Sequence, residues 1–255
     1  MSEAAGPVAA PRAALVMIGN ELLSGRTRDA NLAHLAARLG TRGIRVAEAR
    51  VIADDADVIV RTVNELRASH DLVFTTGGIG PTHDDITADC IAHAFGVTID
   101  VRTDALERLE AFWETRGVEP NEERLRMARI PDGATLIDND VSAAPGFRLG
   151  NVLVMAGVPR IMQSMLEHVL PTLPIGRIVH AASVVVADLG EGDIAAPLRA
   201  LQERFPDVDL GSYPGRVDGR ARVELVARGE DAARLAEVHA ALVSLVEGLD
   251  GERLD

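Results

Sequence analysis

Between residues 75 and 87 the chain reads Thr-Thr-Gly-Gly-Ile-Gly-Pro-Thr-His-Asp-Asp-Ile-Thr, three glycines followed by paired carboxylates and flanked by threonines. Gly77, Gly78 and Gly80 carry no side chain, so their amides can come close to a ligand, and the helix that follows offers unpaired N–H groups to an anion. Phosphate or pyrophosphate is the natural guest. The loop is not a P-loop, because it has no lysine, and not a dinucleotide fingerprint, because position 83 is His. Asp84 and Asp85, beside Thr82 and Thr87, would repel a phosphate unless a divalent cation such as Mg²⁺ lay between them. A purely local reading competes with this one. Thr82-His-Asp-Asp85 fits a capping box, with Thr82 capping the helix, Asp85 reaching back to its amide, the glycines serving a tight turn and His83 lying on the surface.

Three further loops carry polar groups. In Gly19-Asn-Glu-Leu-Leu-Ser-Gly25, Glu21 can hold a ribose or diol hydroxyl, and Arg26 or Arg28 a phosphate; Asn31 lies just beyond, and Asp29 is placed to cap the next helix. Asp54 and Asp55 follow an apolar run, and one of them caps the helix near Ala56. Ala156-Gly-Val-Pro159 can close over a ligand with the backbone around Gly157, while Ser142-Ala-Ala-Pro-Gly146 is either flat enough to seat a ligand or a simple turn.

These loops must be positioned by the elements they leave. Apolar runs of strand length at 14–18, 44–52, 71–75 and 151–156 alternate with helical spacing at 32–39, 58–66, 86–95 and from Pro159 to Leu170. One or two further helices are expected over 103–127. Alternation of this kind predicts an α/β fold, a three-layer α/β/α domain on a mostly parallel sheet, with the site at the carboxyl ends of the strands. Residues 1–12 read as a flexible tail, 13–174 as the main domain and 175–255 as a small α+β domain. In the last of these, strands are expected at 178–189, 208–213 and 221–227, and helices at 193–205 and 231–249.

Composition narrows the function. All 26 basic residues are Arg, which excludes lysine chemistry such as a Schiff base. The single cysteine, Cys90, excludes disulfides and multi-cysteine metal sites and reads as a small buried hydrophobe. The remaining histidines are scattered, without helical zinc spacing. Acidic residues outnumber basic ones 39 to 26, a net charge of −13, and aromatics are 3% of the chain, which argues against nucleic acid and against an anionic membrane surface. No stretch reads as an export signal or a membrane span, so a cytoplasmic protein is expected.

The motifs also resemble a known family. Thr76-Gly-Gly-Ile-Gly-Pro-Thr-His-Asp-Asp-Ile-Thr87 is similar to the T-G-G-x-G-x-x-x-x-D-x-T signature of the molybdopterin-binding (MoaB/MogA-like) fold. The segment 19–25 with Asn31, the segment Ser142-Ala-Ala-Pro-Gly-Phe147, and Gly157-Val-Pro159 narrow the resemblance to the amino-terminal region of the competence/damage-inducible protein A (CinA) family. It runs over nearly all of residues 14–250, and the small domain resembles that family's middle domain. The resemblance implies a metal-dependent hydrolase of a nucleotide pyrophosphate linkage of the ADP-ribose or FAD type, or alternatively a non-catalytic molybdopterin or nucleotide binding protein. On this reading Asp84 and Asp85 hold a divalent metal, expected to be Mg²⁺, and with Asp54 are catalytic. Gly77, Gly78, Gly80, Thr82, Thr87, Glu21, Asn31, Gly157 and Pro159 meet the ligand, and copies of the chain associate as a homo-oligomer. Two departures stand out. Position 84, Arg in pterin-handling relatives, is Asp as in the CinA-like group, and the usual Pro-Gly-Val-Pro-Ser-Glu-Met reads Ala156-Gly-Val-Pro-Arg-Ile-Met162, which removes an acidic residue. The family's carboxyl-terminal deamidase domain has no counterpart in these residues, so deamidase activity is not expected. The small domain's element order resembles a K-homology unit. Its nine Arg against fifteen acidic residues, and the wrong spacing and acidic neighbours of Gly190 and Gly192 as a clamp, argue against RNA.

Overall fold

The computed structural model describes residues 10–249 and 251–254, so most of the expected tail, residues 1–9, lies outside the described residues. Contacts divide the chain into one unit ending at Gly176 and a second beginning at Arg177.

The first unit runs β1 (Arg12–Ile18), α1 (Asn20–Leu23), α2 (Asn31–Gly40), β2 (Arg45–Ile52), α3 (Ala56–Ser69), β3 (Leu72–Thr76), α4 (Thr87–Phe95), β4 (Ile99–Val101), α5 (Thr103–Arg116), α6 (Glu122–Leu125), β5 (Arg129–Pro131), β6 (Thr135–Ile137), β7 (Gly146–Leu149), β8 (Val152–Met155) and α7 (Pro159–Val169). Its main sheet has the order β2-β1-β3-β8-β7-β6. The first four strands are parallel and the last two antiparallel. β1 is buried on both faces. Ala14, Val16 and Ile18 enter one apolar layer with Ile59 and Val63 of α3, Ile91 of α4 and Leu109 of α5. Ala13, Leu15 and Met17 enter the other with Leu35 and Leu39 of α2 and Met162 and Leu166 of α7. Alternation along one strand thus feeds both helical layers, and a continuous apolar run is its sequence signature.

The structure departs from the sequence reading at several boundaries and in four short strands. β1 starts at Arg12 rather than Ala14, because the Arg12 amide donates to Asp71 Oδ2 at 2.7 Å and its carbonyl accepts from Asp71 N–H. The first unit extends past Pro171 and Pro174, since Arg42 donates to the Leu173 carbonyl at 2.7 Å and the Gly176 amide to the Arg42 carbonyl at 2.8 Å. The short strands β4 to β7, three or four residues each, give no period to read.

The second unit runs β9 (His180–Ala187), α8 (Glu191–Arg204), β10 (Asp209–Val217), β11 (Arg220–Gly229), α9 (Ala232–Gly248) and β12 (Glu252–Leu254). Its sheet, β10-β11-β9-β12, is antiparallel throughout. The β-α-β-β-α-β order is ferredoxin-like rather than K-homology-like. The sequence reading missed β12 because three residues cannot show alternation.

In the first unit the chain turns one way from β1 to β2 and the other way to β3, so the order reverses between β1 and β3. Crevices form at the carboxyl ends of strands at such a reversal. Here the approach is tight. Gly77 has φ +105°, and a Cβ on it would lie 2.2 Å from the Ile18 carbonyl oxygen. Gly77→Ala is expected to destabilise the protein by roughly 3 kcal/mol or more, combining left-handed strain with a backbone clash. Gly25→Ala, at φ +71° but with open space around it, is expected to cost about 1 kcal/mol. Equal losses in denaturant titration would show that the close approach is unimportant. Burial pushes the Cys90 thiol, at 4% exposure, up to about 11, with the Asp89 and Asp55 charges adding to the effect. Since the thiolate is the reactive form, an aromatic disulfide reagent at pH 8 should leave the native chain unmodified and label Cys90 fully in guanidinium. Rapid native labelling would contradict this burial.

Candidate active site

Four loops leave the carboxyl ends of β1, β2, β3 and β8 and enclose a cavity of about 500 Å³. β1 contributes Gly19 and Glu21, β2 contributes Asp54, β3 contributes Gly77 to Pro81 with Asp84 and Asp85, and β8 contributes Ala156, Gly157 and Val158. The loops are fastened to one another by backbone. The Gly77 amide donates to the Met155 carbonyl at 3.1 Å and the Gly19 amide to the Ile52 carbonyl at 3.1 Å. Asp54 Oδ2 accepts from the Asn20 amide at 2.8 Å, tying the β2 loop to the start of α1. The Glu21 carboxylate folds back over Gly19, where a Cβ would lie 2.5 Å from Oε1.

The cavity also has an apolar wall. Phe112 and Trp113 of α5, Met127, and Ile161 and Met165 of α7 form it. Every ionisable side chain lining the cavity is acidic, namely Glu21, Asp54, Asp84 and Asp85. Hydrogen bonding, from Thr82 first and then from the residue's own backbone amide, holds the exposed Asp84 carboxyl below its ordinary range, so it is charged at neutral pH.

The structure therefore brings Glu21, Asp54, Gly77, Gly78, Gly80, Asp84, Asp85 and Gly157 to one cavity. It does not bring Thr82, Thr87, Asn31 or Pro159 to the lining. Asp85 Oδ2 accepts from the Thr82 amide at 2.8 Å and from the Thr82 hydroxyl. The reach-back is present, yet Thr82 closes a turn instead of capping a helix, because α4 begins at Thr87. Thr87 is fully buried behind the loop, its amide donating to the Gly78 carbonyl at 2.9 Å and its hydroxyl filling the space a Gly78 side chain would need. Asn31 is 5% exposed and donates through Nδ2 to the Gly157 carbonyl at 2.8 Å, so it holds the β8 loop from behind. Pro159 starts α7 at its first turn, where a missing N–H costs nothing. Asp29 caps α2 through the Asn31 and Leu32 amides, and Asp55 caps α3 through the Val58 amide. Arg26 and Arg28 are exposed and outside the lining.

Among the described residues no three His, Cys, Asp or Glu side chains gather into a metal-holding group. The residues present do not fit an all-protein cage. They do fit a hard cation such as Mg²⁺, which is commonly held by one or two carboxylates and completes its shell with ligand phosphate and water.

The sequence reading missed the aromatic wall and one organiser. Phe112 and Trp113 are adjacent aromatics in a chain with few of them, which was the available signal. Asn139 is 7% exposed, and its Oδ1 accepts from the Val141 and Ser142 amides at 3.0 and 2.8 Å while Nδ2 donates to the Ala144 carbonyl. It thereby shapes the loop that brings Ser142 and Ala144 to the cavity, in which Ala143 takes a strained φ of +58°.

Residues 14–175 match the probable molybdopterin binding domain family. The chain belongs to that family. Within it, the CinA protein of Thermoplasma acidophilum, whose crystal structure is described as being of unknown function, superposes with a TM-score of 0.59 at 33% identity, covering 64% of this chain and 98% of that one. A CinA-like protein of Geobacter sp. strain M21 is 38% identical over 217 residues, 78% of this chain and 52% of that protein, so the match spans about half its length. A protein of Aeropyrum pernix is 35% identical over 249 residues, 93% of this chain and 91% of its own. Residues 180–249 match the FAD synthase middle domain. This molybdopterin-binding-type domain is thus CinA-like and paired with a unit also found in a flavin-nucleotide enzyme. Because Asn139 makes several hydrogen bonds to one loop, Asn139→Ala is expected to destabilise the domain by about 2 kcal/mol and to admit protease cleavage within 140–145. An unchanged cleavage pattern would show that the loop is held by other contacts.

Proposed function

We propose that the cavity binds a small molecule carrying a phosphate or pyrophosphate and a flat ring, a nucleotide or pterin phosphate, and that with a divalent metal it hydrolyses a nucleotide pyrophosphate linkage of the ADP-ribose or FAD type. One observation carries the reading: a glycine loop that can present amides to an anion shares its cavity with four carboxylates and no cationic side chain. Such a lining admits an anion only together with a cation. The molybdopterin-binding and FAD synthase matches support the same ligand class.

In this reading Asp84 and Asp85 hold the metal, which would polarise a phosphoryl oxygen and acidify a bound water. The loop from Gly77 to Gly80 orients the pyrophosphate through backbone N–H groups. Phe112, Trp113 and Met165 receive the ring and keep bulk water from it. Glu21, whose carboxylate has no hydrogen-bond partner among the described residues, accepts a proton from the attacking water. The water oxygen bonds to one phosphorus as the bridging P–O bond breaks, and the proton returns to the leaving phosphate. Asp54, engaged by the Asn20 amide, fixes the rim on which Glu21 sits.

A second reading, binding without turnover, is favoured by the Asp85 oxygen already committed to Thr82 and by Arg160 and Ile161 in the β8 loop. ADP-ribose, FAD and NAD incubated with Mg²⁺, Mn²⁺ or Co²⁺ separate the two. The hydrolase reading expects metal-dependent AMP release that Asp84→Asn and Asp85→Asn each reduce by roughly 100-fold or more, with little change in melting temperature because Asn still offers Thr82 an acceptor. Tight pterin or nucleotide binding with no product under any metal would establish the second reading instead.

A further inference from the structure

A small niche opens off the cavity behind the glycine loop. It holds about 20 Å³, room for one water-sized group. Gly78, Ile79, Gly80, Asp85 and Met127 line both spaces, whereas Arg126, the residue after α6, lines the niche and not the cavity, as do Asp89 and Arg129. Arg126 directs one guanidinium nitrogen to the Asp85 carbonyl at 3.2 Å, while its Nε is buried and without a partner. The adjacent Arg129 differs: it is bidentate on Asp89 at 2.6 and 2.8 Å, and its charge is neutralised. Arg126 forms no ion pair among the described residues. Gly78, Ile79 and Gly80 also line the niche, and their amides have no protein acceptor among the described residues. A buried guanidinium N–H left unpaired is costly, and an anionic oxygen is the partner that best relieves it.

We propose that Arg126 recognises the negative charge of the ligand, its Nε–H and the loop amides together holding a non-bridging phosphate oxygen in the niche. This rests on the reading of the cavity as a site for a nucleotide or pterin phosphate. It assigns that site a preference for phosphate esters over the corresponding neutral nucleosides or pterins. Asp85, which lines both spaces and accepts from Arg126 through its carbonyl, would then lie between the metal and the arginine.

Calorimetric titration of the full chain with AMP and with adenosine, both in Mg²⁺, tests it. Arg126→Gln is expected to weaken AMP binding by about 10-fold or more, the worth of a charge-assisted hydrogen bond, and to leave adenosine binding unchanged. Arg126→Lys keeps the charge but loses the fork, and should give a smaller, several-fold loss for AMP alone; it decides the matter if the Gln variant does not fold. Undiminished AMP binding in a folded variant, or equal losses for AMP and adenosine, would overturn the assignment while leaving the proposed function standing. Absence of AMP and ADP-ribose binding in the unmodified protein would overturn both.

Discussion

The contact on which the site depends is backbone against backbone. At the point where the sheet order reverses, Gly77 lies so close to the Ile18 carbonyl that no side chain fits, and Gly157 in turn lies against Gly77, where a Cβ would be 3.2 Å from the Gly77 Cα. Three loops from β1, β3 and β8 are therefore stacked at one place. Their separation is set by main-chain atoms, which sit on strands buried on both faces. A cavity built this way is preorganised, since its walls move only if the sheet moves.

Around that stack the polar groups sort into those that face the cavity and those that hold the loops from behind. Thr87 and Asn31 belong to the second kind. Both are buried, both make one hydrogen bond to a loop backbone, and both leave a buried oxygen without a partner. Asp85 belongs to both kinds, closing its own turn through one oxygen while lining the cavity. The consequence is an acidic space beside a glycine loop, which on the proposed function takes an anionic guest together with a cation.

The fold was readable where burial imposed a long period. The run Ala14-Leu-Val-Met-Ile18 announces a strand covered on both faces, and Leu32, Leu35 and Leu39 announce α2. β4 to β7 were not readable, because three or four residues each are too few to show a period. The site was half readable. Glycines and carboxylates at the ends of strands pointed to loops that line the cavity, because such loops must meet at one edge of a parallel sheet. Which threonine or asparagine lines the cavity and which lies behind was not, since Thr82 and Thr87 differ only in the path the backbone takes between them. Phe112 and Trp113 reach the cavity, and Asn139 the loop it organises, through tertiary packing, which no local spacing encodes.

The central claim is that the carboxylate-lined cavity accepts an anionic nucleotide through an intervening divalent cation. The most direct test is the affinity of the unmodified chain for a methylene-bridged, non-hydrolysable ADP-ribose analogue, measured at pH 7.5 in Mg²⁺ and again in excess chelator. The account predicts tight binding that weakens by roughly 10-fold or more when the metal is removed. Equal affinity in the two conditions would contradict it.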